Sequence, residues 1–231
     1  EKVFNKVLEF SDAEINKSIG LLQSAKHPVV LIGGGCNDCN IKEDLESFLF
    51  NNHIPVITSL MGRGVVDETY TYYVGMVGSY GNRCANIVIS QADVLLVLGS
   101  RLDTRQTGAK IDSFLTDGKI VHVDIDENEL KYHRIENQIH IHMPVSDFLS
   151  TLRQEHVCLH PDEDWLAYIL NTKRKYNQDK EIARFVDNKS PYKFMQALNG
   201  IIKEGDIVTT DVGQNQMWAA QTLNLKKGMK Y

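Results

Sequence analysis

Short aliphatic runs alternate along the chain with longer segments in which apolar residues recur every three or four positions. We predict strands at residues 29–32, 55–58, 94–98, 120–124 and 139–142. Runs that are aliphatic throughout are typical of strands buried on both faces. Their alternation with helices predicts an α/β fold, a Rossmann-like parallel sheet with helices on both faces.

The segments between these runs have the apolar spacing of amphipathic helices. Ile15, Ile19 and Leu22 follow a capping box formed by Ser11 and Glu14, which predicts a helix start. Further helices are predicted around residues 45–49, 85–91, 127–132, 146–153 and 165–180, and from Pro191 onward.

The pattern changes after residue 155, and three parts are predicted. Residues 1–155 form the strand-rich domain, and residues 156–189 form a linker with a charged helix. Residues 190–231 begin a second α/β unit, with a strand at 206–210 followed by a helix. A strand, turn and helix usually open an α/β domain, so we expect this last part to be an incomplete segment of a further domain.

Composition narrows the functional classes. The net charge of -5 gives no basic excess for nucleic acid, and no apolar run reaches the length of a membrane span. Without a signal peptide, a cytoplasmic location is expected. Cys36 and Cys39 form one C-x-x-C pair, which leaves two readings open: a redox pair, or small buried thiols in a reduced compartment.

Glycines and charged residues follow several predicted strands. Gly33, Gly34 and Gly35 come directly after the first strand, where a bare backbone favours a diphosphate; a tight turn without ligand is the alternative. Residues 75–81 form a second glycine-rich connection, with a flexible crossover as the alternative.

The loop at residues 99–108 follows the most apolar strand, at the edge where parallel sheets bind ligands. Arg101 and Arg105 offer planar donors to phosphate, whereas the alternative is a solvated loop with an Arg–Asp pair involving Asp103. Asp124 is placed to accept from ribose hydroxyls, and Asp126 is expected to cap a helix.

His140 and His142 share a face of the fifth strand, and a metal pair is the weaker interpretation because no third ligand accompanies them.

Six stretches together carry a family resemblance. They are VVLIGGG, PVITSLMGRGVVD, GMVGSYGNRCAN, ADVLLVLGSRLDTRQTG, VHVDID and TTDVGQNQMWAAQ. In this order they resemble thiamine-diphosphate-dependent enzymes, and most of all the acetolactate synthase (acetohydroxyacid synthase) catalytic subunit. The resemblance implies that residues up to 155 form the central domain, often an FAD carrier, and that residues from 190 begin the diphosphate-binding domain.

The resemblance also implies a function for a longer parent protein. That parent is a transferase of branched-chain amino acid biosynthesis that decarboxylates pyruvate and joins the product to a second 2-oxo acid. It uses thiamine diphosphate and Mg²⁺, with FAD possible in the central domain. Homodimers or tetramers are usual, and a regulatory subunit is an expected partner.

By itself this chain is expected to be inactive, with neither catalytic residues nor metal ligands. The alternatives are a noncatalytic nucleotide-binding module, or a related decarboxylase or dione hydrolase.

The resemblance transfers cofactor contacts to five groups of residues, four near FAD and the last near thiamine diphosphate. These are Gly33, Gly34 and Gly35; Thr58, Ser59 and Leu60; Gly78, Ser79, Tyr80 and Gly81; Arg101, Asp103, Arg105 and Asp124; and Val212, Gly213 and Gln214.

This chain also departs from the family pattern. Asn215 replaces a usual histidine, Thr104 a common aspartate, and Asp124 a common glutamate. His142, Met143 and Pro144 replace a common Gly-Asp, so FAD and an ADP-type ligand both remain candidates for the central domain.

Overall fold

The computed structural model describes residues 12–37, 41–132, 134–184, 190–226 and 228–231. The predicted capping residue Ser11 and the second cysteine of the C-x-x-C pair, Cys39, lie outside these residues.

The described residues contain one parallel sheet of six strands in the order β3-β2-β1-β4-β5-β6. The strands are β1 (Pro28–Ile32), β2 (Val56–Thr58), β3 (Tyr73–Met76), β4 (Val94–Leu98), β5 (Lys119–Asp124) and β6 (Gln138–His142). Chain order reverses between β1 and β4, which pair from Pro28 with Val94 to Ile32 with Leu98. The chain segments that follow these two strands therefore lead in opposite directions, which makes this a topological switch point.

The predicted parallel sheet is confirmed, but the predicted number of strands was one too low. The missed strand is β3, at one edge of the sheet, where it pairs only with β2. Its sequence Tyr73-Val74-Gly75-Met76 is short and contains Gly75 at φ +126°, and the pairing register shifts beside it. A glycine in a short run weakens the sequence signal for a strand and marks irregular pairing.

Helices cover both faces of the sheet. They are α1 (Asp12–Ser24), α2 (Lys42–Asn51), α3 (Arg83–Ser90), α4 (Thr104–Thr107), α5 (Glu127–Lys131), α6 (Val145–Gln154), α7 (Glu163–Lys175), α8 (Gln178–Ile182), α9 (Pro191–Leu198) and α10 (Gln214–Thr222). One core cluster includes Val30 and Ile32 with residues of α1, α2 and α6. The other includes Val29 and Leu31 with residues of α3 and α7. Successive residues of β1 thus face opposite cores, as strand geometry requires.

Two predicted elements after residue 155 were wrong. The single helix predicted at 165–180 is two helices, because the Asn177 side chain accepts a hydrogen bond from the N–H of Lys180 and starts α8. The strand predicted at 206–210 is only an isolated bridge between Ile207 and Lys230. Ile207 is 70% exposed, so this stretch has neither neighbouring strands nor a core among the described residues. The domain division at residues 155 and 190 stays a prediction.

Backbone packs directly against backbone at the switch point. The N–H of Gly33 donates to the carbonyl of Leu98 (2.8 Å), and the N–H of Gly35 donates to the carbonyl of Gly99 (2.9 Å). A Cβ atom on Gly33 would lie 2.1 Å from the Gly99 oxygen and 2.5 Å from the Ser100 Cα atom. Glycine is therefore needed at position 33 for the two turns to approach each other.

We predict that Gly33→Ala destabilises the fold by about 1–3 kcal/mol, because the added methyl group meets backbone that cannot move aside. The matched control is Gly20→Ala in α1, where an added Cβ meets nothing within 4 Å. That change should stabilise by about 0.5–1 kcal/mol through helix propensity. Urea unfolding of both variants is the measurement, and equal effects of the two substitutions would contradict this packing.

Candidate functional site

A cleft of about 690 Å³ lies at the carboxyl edge of the sheet. Residues that follow β1, β2, β3, β4 and β5 line it, together with one turn of α10. We call it the edge cleft. Its lining residues are Gly34, Gly35, Asn37, Ser59, Leu60, Met61, Met76, Val77, Tyr80, Gly99, Ser100, Arg101, Asp103, Arg105, Gln106, Asp124, Asp126, Glu129, Val212, Gln216 and Met217. Its volume falls within the range of small-molecule sites.

The structure brings together ten of the seventeen residues that the sequence assigned to cofactors. These ten line the edge cleft: Gly34, Gly35, Ser59, Leu60, Tyr80, Arg101, Asp103, Arg105, Asp124 and Val212. The other seven are not part of the lining: Gly33, Thr58, Gly78, Ser79, Gly81, Gly213 and Gln214.

Arg101 and Arg105 are the cationic side chains of the edge cleft. Both are exposed, and within the described ranges neither guanidinium forms a hydrogen bond or an ion pair. The alternative of an Arg–Asp pair does not hold, because Asp103 accepts from the N–H groups of Arg105 and Gln106 and caps α4. Two unpaired guanidinium forks in one cleft are suited to an anion.

Hydrogen bonds from buried groups fix the loop that carries these arginines. Leu102 is buried at φ +50°, an unfavourable conformation for a branched apolar residue. The Ser100 hydroxyl donates to Gln106 Oε1 (2.7 Å), and His122 Nε2 lies 2.7 Å from the Ser100 carbonyl oxygen. His122 is buried in β5. Since a carbonyl oxygen only accepts, the nitrogen of His122 donates to it and orients the loop.

Four carboxylates also line the edge cleft: Asp103, Asp124, Asp126 and Glu129. Asp124 is only 8% exposed, and its Oδ1 accepts from the N–H of Asp126 (2.9 Å). The expected capping role of Asp126 is observed, since its side chain accepts from the N–H of Asn128. Asp103 and Asp126 thus cap helices, whereas Asp124 Oδ2 and the Glu129 carboxylate accept no hydrogen bond among the described residues.

The glycine-rich connection supports the arginine loop. Gly78 has φ +113°, and a Cβ there would lie 2.4 Å from the Arg105 carbonyl oxygen. The N–H of Ser79 donates to that same oxygen (2.8 Å). Gly78 and Ser79 therefore buttress α4 from outside the lining, while Tyr80 next to them is half exposed in the cleft.

The end of β2 and the turn after it differ in whether they line the edge cleft. Thr58, the last residue of β2, is buried. Its Oγ1 lies 3.2 Å from the hydroxyl of Tyr73 in the neighbouring strand β3, and it does not line the cleft. Ser59 accepts from the N–H of Gly62 and caps the short helical turn Leu60–Gly62. Ser59 and Leu60 line the cleft with Met61, which the sequence did not indicate.

The C-terminal segment contributes one wall. Val212 is 90% exposed and lines the edge cleft, and Gln216 and Met217 of α10 join it. Asn215 donates to Asp211 Oδ1 (2.8 Å) and lies over Gly213. Gln216 and Met217 lie four positions after the assigned residues Val212 and Gly213, the spacing of one helix face, so helix periodicity was the signal that would have found them.

Two alternatives to the edge cleft, a metal site at His140 and His142 and a second cavity, have less support. In the part of the chain that the structure describes, no group of three or more His, Cys, Asp or Glu residues is arranged for a metal ion. His142 Nε2 instead lies 3.0 Å from the Ile125 carbonyl oxygen.

A cavity of about 1140 Å³, larger than the edge cleft, lies at the opposite, amino edge of the sheet, beside Lys17, Lys119 and Arg134. We favour the edge cleft because it lies at the switch point and holds unpaired arginines with a buried carboxylate.

Cys36 is a buried structural thiol. It lies in the turn after β1, its thiol donates to the Leu98 carbonyl (3.3 Å), and burial raises its pKa to about 12. A reactive redox thiol needs the opposite, a lowered pKa with access to solvent. The structure therefore favours the small-thiol interpretation for Cys36.

The six-stranded parallel sheet and its switch-point cleft define a Rossmann-like α/β domain. A family model described as "Thiamine pyrophosphate enzyme, central domain" matches residues 15–152. The chain therefore belongs to the thiamine pyrophosphate enzyme family, and the resemblance seen in its motifs is confirmed.

Curated relatives agree with the family. A probable acetolactate synthase large subunit of Methanococcus aeolicus is 35% identical over 90% of this chain and 37% of its own length. The acetolactate synthase large subunit of Cyanidium caldarium is 33% identical over 93% and 37%. The acetolactate synthase isozyme 1 large subunit of Escherichia coli (strain K12) is 32% identical over 94% of this chain and 38% of its own length. The chain thus spans little more than a third of these relatives. Among its described helices, none is both long and apolar enough to cross a membrane.

We predict that Asp103→Ala lowers the free energy of unfolding by about 1 kcal/mol, because the start of α4 loses its cap. Asp103→Asn should cost less than half as much, since asparagine caps equally well. Thermal and urea unfolding test the pair. Equal losses for both variants would show that the negative charge, rather than the cap, is what matters.

We predict that the described cysteines differ in their rate of alkylation in the native state. At pH 8 a thiol with a pKa of about 12 is ionised in roughly one molecule in 10⁴, and Cys84 is also buried, which raises its pKa to about 11. Exposed Cys158 should therefore react with iodoacetamide while Cys36 and Cys84 stay unmodified, and all three should react in urea. Peptide mass spectrometry measures each site. Fast native modification of Cys36 would contradict its structural role.

Proposed function

We propose that the edge cleft binds an adenine dinucleotide, with FAD as the first candidate. The observation that carries the proposal is the pair of unpaired guanidinium groups at Arg101 and Arg105, in the same cleft as the buried carboxylate of Asp124. Arginine forks suit a diphosphate, and a carboxylate at a strand end suits ribose hydroxyls.

The residues present fit such a ligand. The cleft runs along the carboxyl ends of five successive strands in chain order, which gives room for an extended molecule. Met61 and Tyr80 are large, exposed and next to the polar groups, so a flat ring has apolar surface to contact. When bound, a flavin would contribute redox-active ring chemistry, and this chain would bind and orient it.

For the whole protein, we propose acetolactate synthase activity: pyruvate is decarboxylated and joined to a second 2-oxo acid in branched-chain amino acid biosynthesis. Support comes from relatives named acetolactate synthase large subunit and from the thiamine pyrophosphate family itself. Within that proposal, Val212, Gly213 and Gln214 face the thiamine diphosphate. Mg²⁺, a homodimeric or tetrameric assembly, a regulatory subunit and a cytoplasmic location belong to the same proposal.

A noncatalytic nucleotide-binding role is the second candidate. It is favoured by the edge cleft alone, which needs only the described residues to offer its arginines and carboxylates. A related decarboxylase or dione hydrolase would share this cleft and differ in the substrate.

FAD titration of the 231-residue chain, followed by quenching of flavin fluorescence, tests the binding proposal. Arg101→Ala and Arg105→Ala should each weaken FAD binding by about tenfold or more, since a charge-assisted hydrogen bond contributes roughly 1.5–3 kcal/mol. The matched control is Arg153→Ala, a surface arginine paired with Asp44 outside the cleft, which should leave the affinity unchanged.

Competition by ADP and by FMN shows which half of FAD the edge cleft recognises. Displacement of FAD by ADP supports an adenine nucleotide site. Displacement by FMN but not by ADP would show that the cleft recognises the flavin half instead. The same affinity in wild type, Arg101→Ala and Arg105→Ala would remove the assignment.

A further inference from the structure

Arg63 is a fully charged side chain buried away from the edge cleft. It follows the turn Leu60–Gly62 and its side chain is only 4% exposed. Met61, two residues earlier, lines the cleft, but Arg63 itself does not. Arg63 belongs to the PVITSLMGRGVVD stretch but not to the residues that the family resemblance assigns to a cofactor.

Glu68 neutralises Arg63 in a two-pronged pair. Arg63 Nε donates to Glu68 Oε1 (2.9 Å), and Arg63 Nη2 donates to Glu68 Oε2. Burial, the largest single effect, would lower the pKa of Arg63, but the charges and hydrogen bonds of Glu68 and Tyr73 together outweigh burial and raise it. Tyr73 of β3 donates to Glu68 Oε1 (3.0 Å), so the Arg63–Glu68 pair is anchored on the sheet.

Two further donors of Arg63 reach the end of α10. Its Nη1 donates to the Ala220 carbonyl and its Nη2 to the Leu223 carbonyl (2.8 Å). Glu68 Oε2 also accepts from the N–H of Leu225 (3.2 Å). The last carbonyls of a helix have no intrahelical partners and carry partial negative charge, so a guanidinium satisfies them and complements the helix dipole.

The opposite end of α10 is a wall of the edge cleft. Val212 precedes the helix, and Gln216 and Met217 lie in its first turn, whereas Ala220 lies in its last. A nine-residue helix is a rigid rod of about 13 Å. Fixing one end of α10 on the sheet therefore fixes where the other end meets a ligand.

We propose that Arg63 is a positioning residue, which through Glu68 fixes α10 on the sheet and so sets the ligand-facing wall of the edge cleft. The inference rests on the proposed nucleotide binding in that cleft. Arg63 touches no ligand, yet ligand affinity depends on it. Loss of the Arg63–Glu68 pair lets α10 shift, and the Val212–Met217 wall moves with it.

Trp218 in the middle of α10 allows a test that needs no ligand. The chain has two tryptophans, and Trp165 is buried in α7 with its indole N–H donating to the Pro28 carbonyl (3.3 Å). Incorporation of 5-fluorotryptophan gives two ¹⁹F NMR signals, assigned with Trp218→Phe. The Trp218 signal reports on α10, and the Trp165 signal reports on the rest of the fold.

Three variants separate positioning from stability. Arg63→Met leaves Glu68 buried and unpaired, and should lower the unfolding midpoint by about 10 °C. Arg63→Met/Glu68→Met removes both charges and should recover most of that loss. Arg63→Lys keeps the charge without the planar fork and should rescue the effects only in part. The surface variant Arg153→Met is the control.

The expected result is that both Met variants shift or broaden the Trp218 signal while the Trp165 signal stays in place. FAD affinity should fall about tenfold in the double variant although its stability is restored. An unshifted Trp218 signal in the double variant would overturn the inference, as would full FAD affinity with a shifted signal. If wild type binds no FAD, the binding proposal fails, and the ¹⁹F signals still decide whether Arg63 fixes α10.

Discussion

The contact between the turns after β1 and β4 is the constraint on which the remaining structure depends. Parallel pairing brings these strands side by side, and chain order reverses between them, so their next segments diverge and open a cleft. The two turns still touch through Gly33, Gly35 and Gly99, where a side chain would overlap backbone. The glycines therefore make the junction compact, and the neighbouring loop carries Arg101 and Arg105, the cationic side chains of the edge cleft.

The C-terminal segment completes this cleft although the sheet does not include it. α10 covers the cleft from one side and is tied to the turn after β2 by Arg63 and Glu68. A second tie is the Gln221 side chain, which donates to the Tyr80 carbonyl (2.6 Å). A charge pair buried this deeply is costly unless every donor finds a partner. Glu68 accepts from two N–H groups of Arg63 and the carbonyls of Ala220 and Leu223 accept from two more, so the buried charge favours one position for the helix.

The sequence predicted the elements whose pattern is carried by aliphatic residues, and missed those that depend on distant partners. Four of the five correct strands were found because their residues, such as Val29–Ile32 and Val94–Leu98, are buried on both faces, whereas β6 is mostly half-buried. β3 was missed because Gly75 interrupts it, and residues 206–210 resemble a strand but lack neighbours. Arg101, Arg105 and Asp124 were placed together because strand ends share one edge. Arg63 gave no local signal, since its partners Ala220 and Leu223 lie some 160 positions away.

The central claim is that an adenine dinucleotide lies in the edge cleft, between the strand-end turns and α10. Amide hydrogen exchange of the 231-residue chain with and without FAD tests it most directly. The account predicts slower exchange at residues 33–37, 99–106 and 212–217 when FAD is present, with no change around Lys17, Lys119 and Arg134 in the larger cavity at the opposite edge. Protection at that opposite edge, or none in the three cleft segments at saturating FAD, would contradict it.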